Sequence, residues 1–217
     1  FNIEIKPGPL DVGFDYAFII PATGDRVPCV FIENREVIGK EPSDPIEVSY
    51  DHKVGDDPTG LEHPELLKIK ADESHSKTIV NGISRIGYMT GGNKARWIDE
   101  EIADTLTTKA QEFIKDHQHQ PFFLYLATHD IHEPMVPHPR FRGTSKCGTR
   151  GDVIQELDWT VGQVLKTLDE LGLTEKTLVI FASDNGGAIK DTYDDGTNPL
   201  HSLQPPNGTL RGQKGTL

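Results

Sequence analysis

An α/β fold, a largely parallel sheet flanked by helices, follows from three features of the chain: two amphipathic segments, two unbroken apolar runs, and their strict alternation across residues 91–217. Connections in such folds are right-handed crossovers, and ligands gather beyond the carboxyl ends of the strands. Residues 1–90 read differently. They predict an irregular, loop-rich stretch with one small hairpin in the first third of the chain.

The hairpin comes first. Pro7, Pro9, Pro21, Pro28, Pro42, Pro45, Pro58 and Pro64 interrupt this stretch too often for long helices. Between them, Val30-Phe31-Ile32 and Val37-Ile38 flank Glu33-Asn34-Arg35-Glu36, and Asn34 suits a turn. Residues 46–76 are charged and punctuated, which predicts surface loop. From Trp97 onward Ile98, Ile102, Leu106, Ala110 and Phe113 recur at helical spacing, with acids in the first turn and Lys115 near the end, as the helix dipole favours. Pro121 closes that helix. Phe122-Phe123-Leu124-Tyr125-Leu126-Ala127 then reads as a strand buried on both faces. A second helix is predicted from about Asp152 to Leu171, with Ile154, Leu157, Val161, Val164, Leu165 and Leu168 on its apolar side and Gly172 as its C-cap. Leu178-Val179-Ile180-Phe181-Ala182 is the second buried strand.

Composition narrows the partners. With 22 Lys and Arg against 34 Asp and Glu, the net charge is −12, and no basic stripe offers the clustered cations that nucleic-acid phosphates require. No run approaches the roughly 18 apolar residues of a membrane-spanning helix, so neither nucleic acid nor membrane is an expected partner. Cys29 and Cys147 are too few and too isolated for a disulfide framework or a structural zinc site.

The chemistry concentrates where the apolar runs end. The first leads into Thr128-His129-Asp130-Ile131-His132-Glu133-Pro134, the second into Ser183-Asp184-Asn185-Gly186-Gly187. Asp, Asn and Gly are what an ordinary turn prefers. They are also what a hard-cation site needs, with the Asp184 carboxylate and Asn185 amide as oxygen ligands, although calcium takes about six to eight oxygens and the others must come from elsewhere. His129 and His132 fit either hydrogen-bonded loop residues or functional imidazoles. A third cluster, Leu210-Arg211-Gly212-Gln213-Lys214-Gly215-Thr216, departs from a nucleotide phosphate loop because Gly215 follows Lys214 directly.

These three clusters, in this order and spacing, resemble the type I sulfatases (arylsulfatase-like) of the alkaline phosphatase superfamily. Lys6-Pro7-Gly8-Pro9 through Gly13-Phe14-Asp15-Tyr16 is similar to the segment after that family's Lys-Trp-His motif, so the likeness spans nearly the whole chain. The resemblance implies an alkaline-phosphatase-like α/β fold and a sulfuric ester hydrolase. It implies a formylglycine nucleophile and a divalent metal, usually calcium. Asp184 and Asn185 match the late metal-ligand pair, His132 the histidine on the leaving-group side, and Lys214 the lysine that binds a sulfate oxygen. His129, His201 and Arg211 are further candidates for substrate contacts, and His138, between two prolines, is a weaker one. The implied substrate is a sulfated carbohydrate or aryl sulfate, and family habit implies a periplasmic or secreted protein.

The family's Cys/Ser-x-Pro-x-Arg motif surrounds neither Cys29 nor Cys147. The nucleophile, the early acidic ligands and the Lys-Trp-His pair are therefore expected upstream of Phe1, and the smaller C-terminal subdomain beyond Leu217. Residues 1–217 are then expected to be a partial catalytic domain of an internal fragment, inactive alone and prone to self-association through uncovered sheet surface. Two alternatives stay open: a phosphoester hydrolase of the same superfamily, which usually carries two metals, and a non-catalytic metal-binding relative. Asp56-Asp57-Pro58 is a weak metal candidate because no buried strand precedes it. Arg150-Gly151-Asp152 reads as a helix start rather than an adhesion tripeptide, and Asn207-Gly208-Thr209 fits a glycosylation acceptor by letters alone.

Overall fold

The computed structural model describes residues 1–188, 190–196 and 207–216. They form two compact units. One comprises Phe1–Asp99 with His132–Pro134, the other Glu100–Ile131 with Met135–Leu217.

The first unit is built from short strands. β1 (Phe18–Ile19), β2 (Ile32–Glu33) and β3 (Glu36–Val37) form an antiparallel sheet in that order. The predicted hairpin is its β2–β3 half, with Ile32 opposite Val37 and Glu33 opposite Glu36. Asn34 takes φ 55°, a left-handed turn position that asparagine tolerates. Its side chain also accepts the Ala17 N–H at 3.1 Å, which fixes β1 beside the turn. β4 (Glu47–Ser49) pairs with β7 (Tyr88–Thr90), and β5 (Ile79–Val80) with β6 (Ile83–Ser84), both antiparallel. The stretch 46–76 is thus not merely surface loop. It contributes a paired strand and buries Ile46, Val54, Thr59, His75 and Ser76, because sparse apolar residues among many charges can still be the inward ones.

Val27, Cys29, Val30, Ile83, Met89 and Trp97 centre this unit's core. Within it lies a buried ion pair. Arg85 donates to both carboxylate oxygens of Asp99 at 2.7 Å and to the Gly24 carbonyl at 2.6 Å. Burial at this level demands pairing, since an isolated charge in an apolar interior is strongly disfavoured.

The second unit rests on two helices. α1 (Ile102–Asp116) buries Ile102, Ala103, Leu106, Thr107, Ala110 and Ile114, as its periodicity predicts, while Ile98 lies outside it and exposed. α2 (Gly148–Glu170) begins four residues before Asp152, and Gly172, at φ 65°, closes it with Leu173 N–H bonded to the Leu168 carbonyl at 2.8 Å. Its buried face is rotated from the predicted one. Val153, Glu156, Thr160 and Thr167 turn inward beside Leu168, which is buried as expected, whereas Ile154 and Leu165 are exposed. Polar groups on α1 explain the rotation: Thr107 Oγ1 bonds Thr160 Oγ1 at 3.1 Å, and Gln111 bonds Thr167 at 2.9 Å. Asp152 is buried with its oxygens on the Gly143 and Ser145 N–H groups, so the Arg-Gly-Asp letters serve folding.

The largely parallel sheet is not found among the described elements, where every named ladder is antiparallel. Residues 122–127 and 178–182 belong to no described strand; in the first run Phe123 is 76% exposed while Phe122, Leu124 and Leu126 are half-buried, and the second run is exposed, Ile180 at 79% and Phe181 at 71%. A strand buried on both faces needs neighbours to pair with and layers to cover it. Among the described residues no helix is long and apolar enough to cross a membrane.

Candidate active site

In the second unit, two of the three sequence clusters are brought together. The 183–187 loop turns on itself through Ser183 Oγ to the Asn185 carbonyl at 2.7 Å. Lys214 N–H reaches the Gly187 carbonyl at 3.2 Å. Asn207 ties the same loops a second time: its Oδ1 accepts Gly187 N–H at 2.7 Å, and its Nδ2 donates to the Gly212 carbonyl at 2.6 Å. The approach is close enough to need glycine. A Cβ on Gly186 would lie 3.0 Å from Gln213 Cα. An open hollow of about 490 Å³ is lined by Gly186, Arg211, Gly212, Gln213 and Thr216.

Asp184, Asn185, Arg211 and Lys214 are all exposed on these loops. Asp184 and Asn185 suit a hard cation in chemistry, and they are two oxygen donors toward a shell of about six to eight. No group of three or more His, Cys, Asp or Glu side chains capable of holding a metal occurs among the described residues. The residues therefore fit one side of a metal shell. Asp57 is otherwise engaged, paired with Arg96 at 2.7 Å. His201 lies outside the described residues.

His132 belongs to the first unit. Its Nδ1 faces the Glu133 carbonyl at 2.7 Å. Near it lies a polar cluster that sequence reasoning missed. Asp25 is buried, accepts a hydrogen bond from Thr23, and stands 3.5 Å from His75 Nε2. His75 Nδ1 in turn meets Asp72 at 2.9 Å and Ser74 Oγ at 2.8 Å. Burial pushes the Asp25 pKa up, but the His75 and Thr23 hydrogen bonds, then the charges of His132 and Arg26, bring it down to about 2. The Asp25 contact likewise raises His75, against the effect of its burial and with further help from Asp72. The missed signal was available in part: a carboxylate and an imidazole both within proline-punctuated sequence, yet 50 residues apart, with nothing local to pair them.

His129, in the second unit, has its Nδ1 3.7 Å from Asp130 Oδ1, and its Nε2 is buried with no hydrogen-bond partner among the described residues. His138 donates its backbone N–H to Glu156.

The chain as a whole is similar to known proteins. The chain is 56% identical over 214 residues to an N-acetylgalactosamine-6-O-sulfatase of Bacteroides thetaiotaomicron, covering 99% of this chain and 42% of that protein. It is 37% identical over 117 residues to human arylsulfatase H, covering 54% of this chain and 20% of that one. A solved structure from work on the metabolism of multiple glycosaminoglycans by Bacteroides thetaiotaomicron superposes with a TM-score of 0.95 at 57% identity, over 98% of this chain and 44% of that chain. The chain thus spans less than half the length of these relatives. Residues 41–215 match the Sulfatase family model, and the chain belongs to the sulfatase family.

Proposed function

We propose that the complete protein to which this chain contributes hydrolyses sulfate esters of a carbohydrate, with a 6-sulfated N-acetylgalactosamine unit as the first substrate to test. The reading is supported most by the double tie, through Asn207 and through Lys214 N–H, between the Asp184-Asn185 loop and the Lys214 loop. The loops tied in this way carry groups of opposite character, oxygen donors for a cation on one and a lysine for an anion on the other. That is the requirement for gripping a tetrahedral oxyanion. The B. thetaiotaomicron relative's name supplies the sugar.

Asp184 and Asn185 would hold part of the shell of a divalent cation, calcium by family resemblance, which when bound withdraws charge from the sulfate oxygens. Lys214 neutralises a further sulfate oxygen as the ester bond lengthens. His132, whose Nδ1 lies at the Glu133 carbonyl, takes by family resemblance the role of proton donor to the departing sugar oxygen. The nucleophile, a formylglycine by resemblance, is assigned to sequence outside residues 1–217, and the complete protein to the periplasm or cell exterior.

Sulfate release from 6-sulfated N-acetylgalactosamine by the complete protein tests the reading. Lys214→Ala should lower kcat by roughly a hundredfold, the usual loss of one oxyanion-stabilising group. Release of phosphate but not sulfate from matched esters overturns it.

A further inference from the structure

The Asp184-Asn185 loop is held at its exit by Gly187, which Asn207 Oδ1 and Lys214 N–H both engage. The chain then runs on to a second, separate support in the same unit. Arg150, in the first turn of α2, sends Nη2 to both carboxylate oxygens of Asp191 at 2.9 Å. The pair is buried, with 11% of the Arg150 side chain and 3% of the Asp191 side chain exposed. Beside it Thr149 Oγ1 donates to the Asp195 carbonyl at 3.1 Å. Segment 191–195 is thus tied to the start of α2 at both of its ends, and Tyr193, between the ties in sequence, is buried.

Stability alone does not account for this pair. A cation in the first turn of a helix opposes the dipole, and that turn holds no acid of its own. Arg150 Nε is buried with no hydrogen-bond partner among the described residues. Taking both charges out of water costs about as much as their attraction returns. What such a pair fixes is place, because a carboxylate buried against one guanidinium tolerates little displacement. Asp191 lies four positions after Gly187, a reach of at most about 14 Å. A fixed Asp191 therefore limits the excursions of Gly187 and of the two oxygen donors just before it.

We propose that Arg150 is a positioning residue for the Asp184-Asn185 loop: through Asp191 it anchors the chain leaving that loop, as Asn207 anchors it at Gly187, and so holds both oxygen donors where one cation can take them. The cation half rests on the sulfatase reading, whereas the anchor itself does not. The two are measured separately.

In the complete protein, kept in chelator, amide exchange is followed by mass spectrometry on peptides holding Gly187 and Lys214. Arg150→Met should speed exchange at both about tenfold and leave the amides of α1 around Leu106 at native rates. Arg150→Lys should stay near native, since one nitrogen makes both bonds to Asp191 and an ammonium can replace it. Calcium alone, in equilibrium dialysis, should bind Arg150→Met about tenfold more weakly than the native protein, within the range lost when a group supporting a metal ligand is removed. Native exchange rates at Gly187 and Lys214, or native calcium affinity, in Arg150→Met overturn the proposal. Acceleration matched at α1 overturns it too, since that marks a loss of global stability. Should Arg150→Met not fold, native rates in Asp191→Asn overturn it as well. A native protein that binds no calcium overturns the metal reading instead, and the exchange comparison still decides the anchor.

Discussion

Asn207 shows how a residue's letters can point away from its work. Its acceptor pattern suggests glycosylation. In the fold, both ends of its amide are spent on backbone groups of two different loops. Asn207→Ala should leave Gly187 N–H and the Gly212 carbonyl without these partners and cost roughly 1–3 kcal/mol, read by urea unfolding, with accelerated exchange at the Gly187 amide. An unchanged Gly187 amide would show that the tie does not hold the loop. Asp25 and His75 carry a prediction with two signs. Asp25 has its pKa depressed from 3.8 to about 2, so its contribution, roughly 2 kcal/mol, is present above pH 4 and is lost as pH falls through 2. The pKa of His75 is raised above 6.5, so its contribution is complete below pH 6.5 and is lost as pH rises through the folded value. Asp25→Asn should therefore flatten both limbs relative to the native chain, measured by urea midpoints from pH 2 to 9.

At the scale of elements, what the sequence revealed depended on how local the cause was. The β2–β3 hairpin was readable because Asn34 and its flanking apolar residues fix turn and register within eight residues. α1 was readable because one stripe of Ile102, Leu106 and Ala110 dominates its burial. α2 was readable as a helix but not fully in its orientation, because Thr160, Thr167 and Glu156, polar by composition, turn inward along with Val153 and Leu168. The Asp184 and Lys214 clusters were visible as motifs, whereas their convergence depends on Asn207 and the missing Cβ of Gly186, which no spacing announces. Arg85 was likewise invisible as a core residue. It is fully buried, and Asp99 with the Gly24 carbonyl accounts for its place. Arg85→Met should cost about 3–5 kcal/mol by stranding the Asp99 carboxylate, and Arg85→Met with Asp99→Leu should recover much of that loss. Equal stability of the single and double variants, by urea unfolding, would contradict this.

For the whole molecule, the decisive feature is apolar surface in the wrong place for an isolated chain. Phe123, Tyr125, Leu178, Ile180 and Phe181 lie in two runs of near-continuous hydrophobicity, and all five are more than 70% exposed. Scattered exposed hydrophobes are normal, but runs of this kind behave as adhesive strand edges. The net charge of −12 opposes association at long range. Its reach is about 10 Å at 0.1 M salt, whereas burial of apolar area gains about 25 cal/mol per Å² at contact. The 217-residue chain should therefore self-associate, more strongly as salt rises, in sedimentation velocity across a concentration series. Phe123→Lys with Phe181→Lys should shift the distribution toward monomer. Both residues are already solvent-exposed, so this pair should cost little folding stability, and the same chain should turn over no aryl sulfate in either assembly state. A native chain that stays monomeric at high salt would show that these runs are covered in solution, and sulfate release above the Lys214→Ala background would place a nucleophile within residues 1–217.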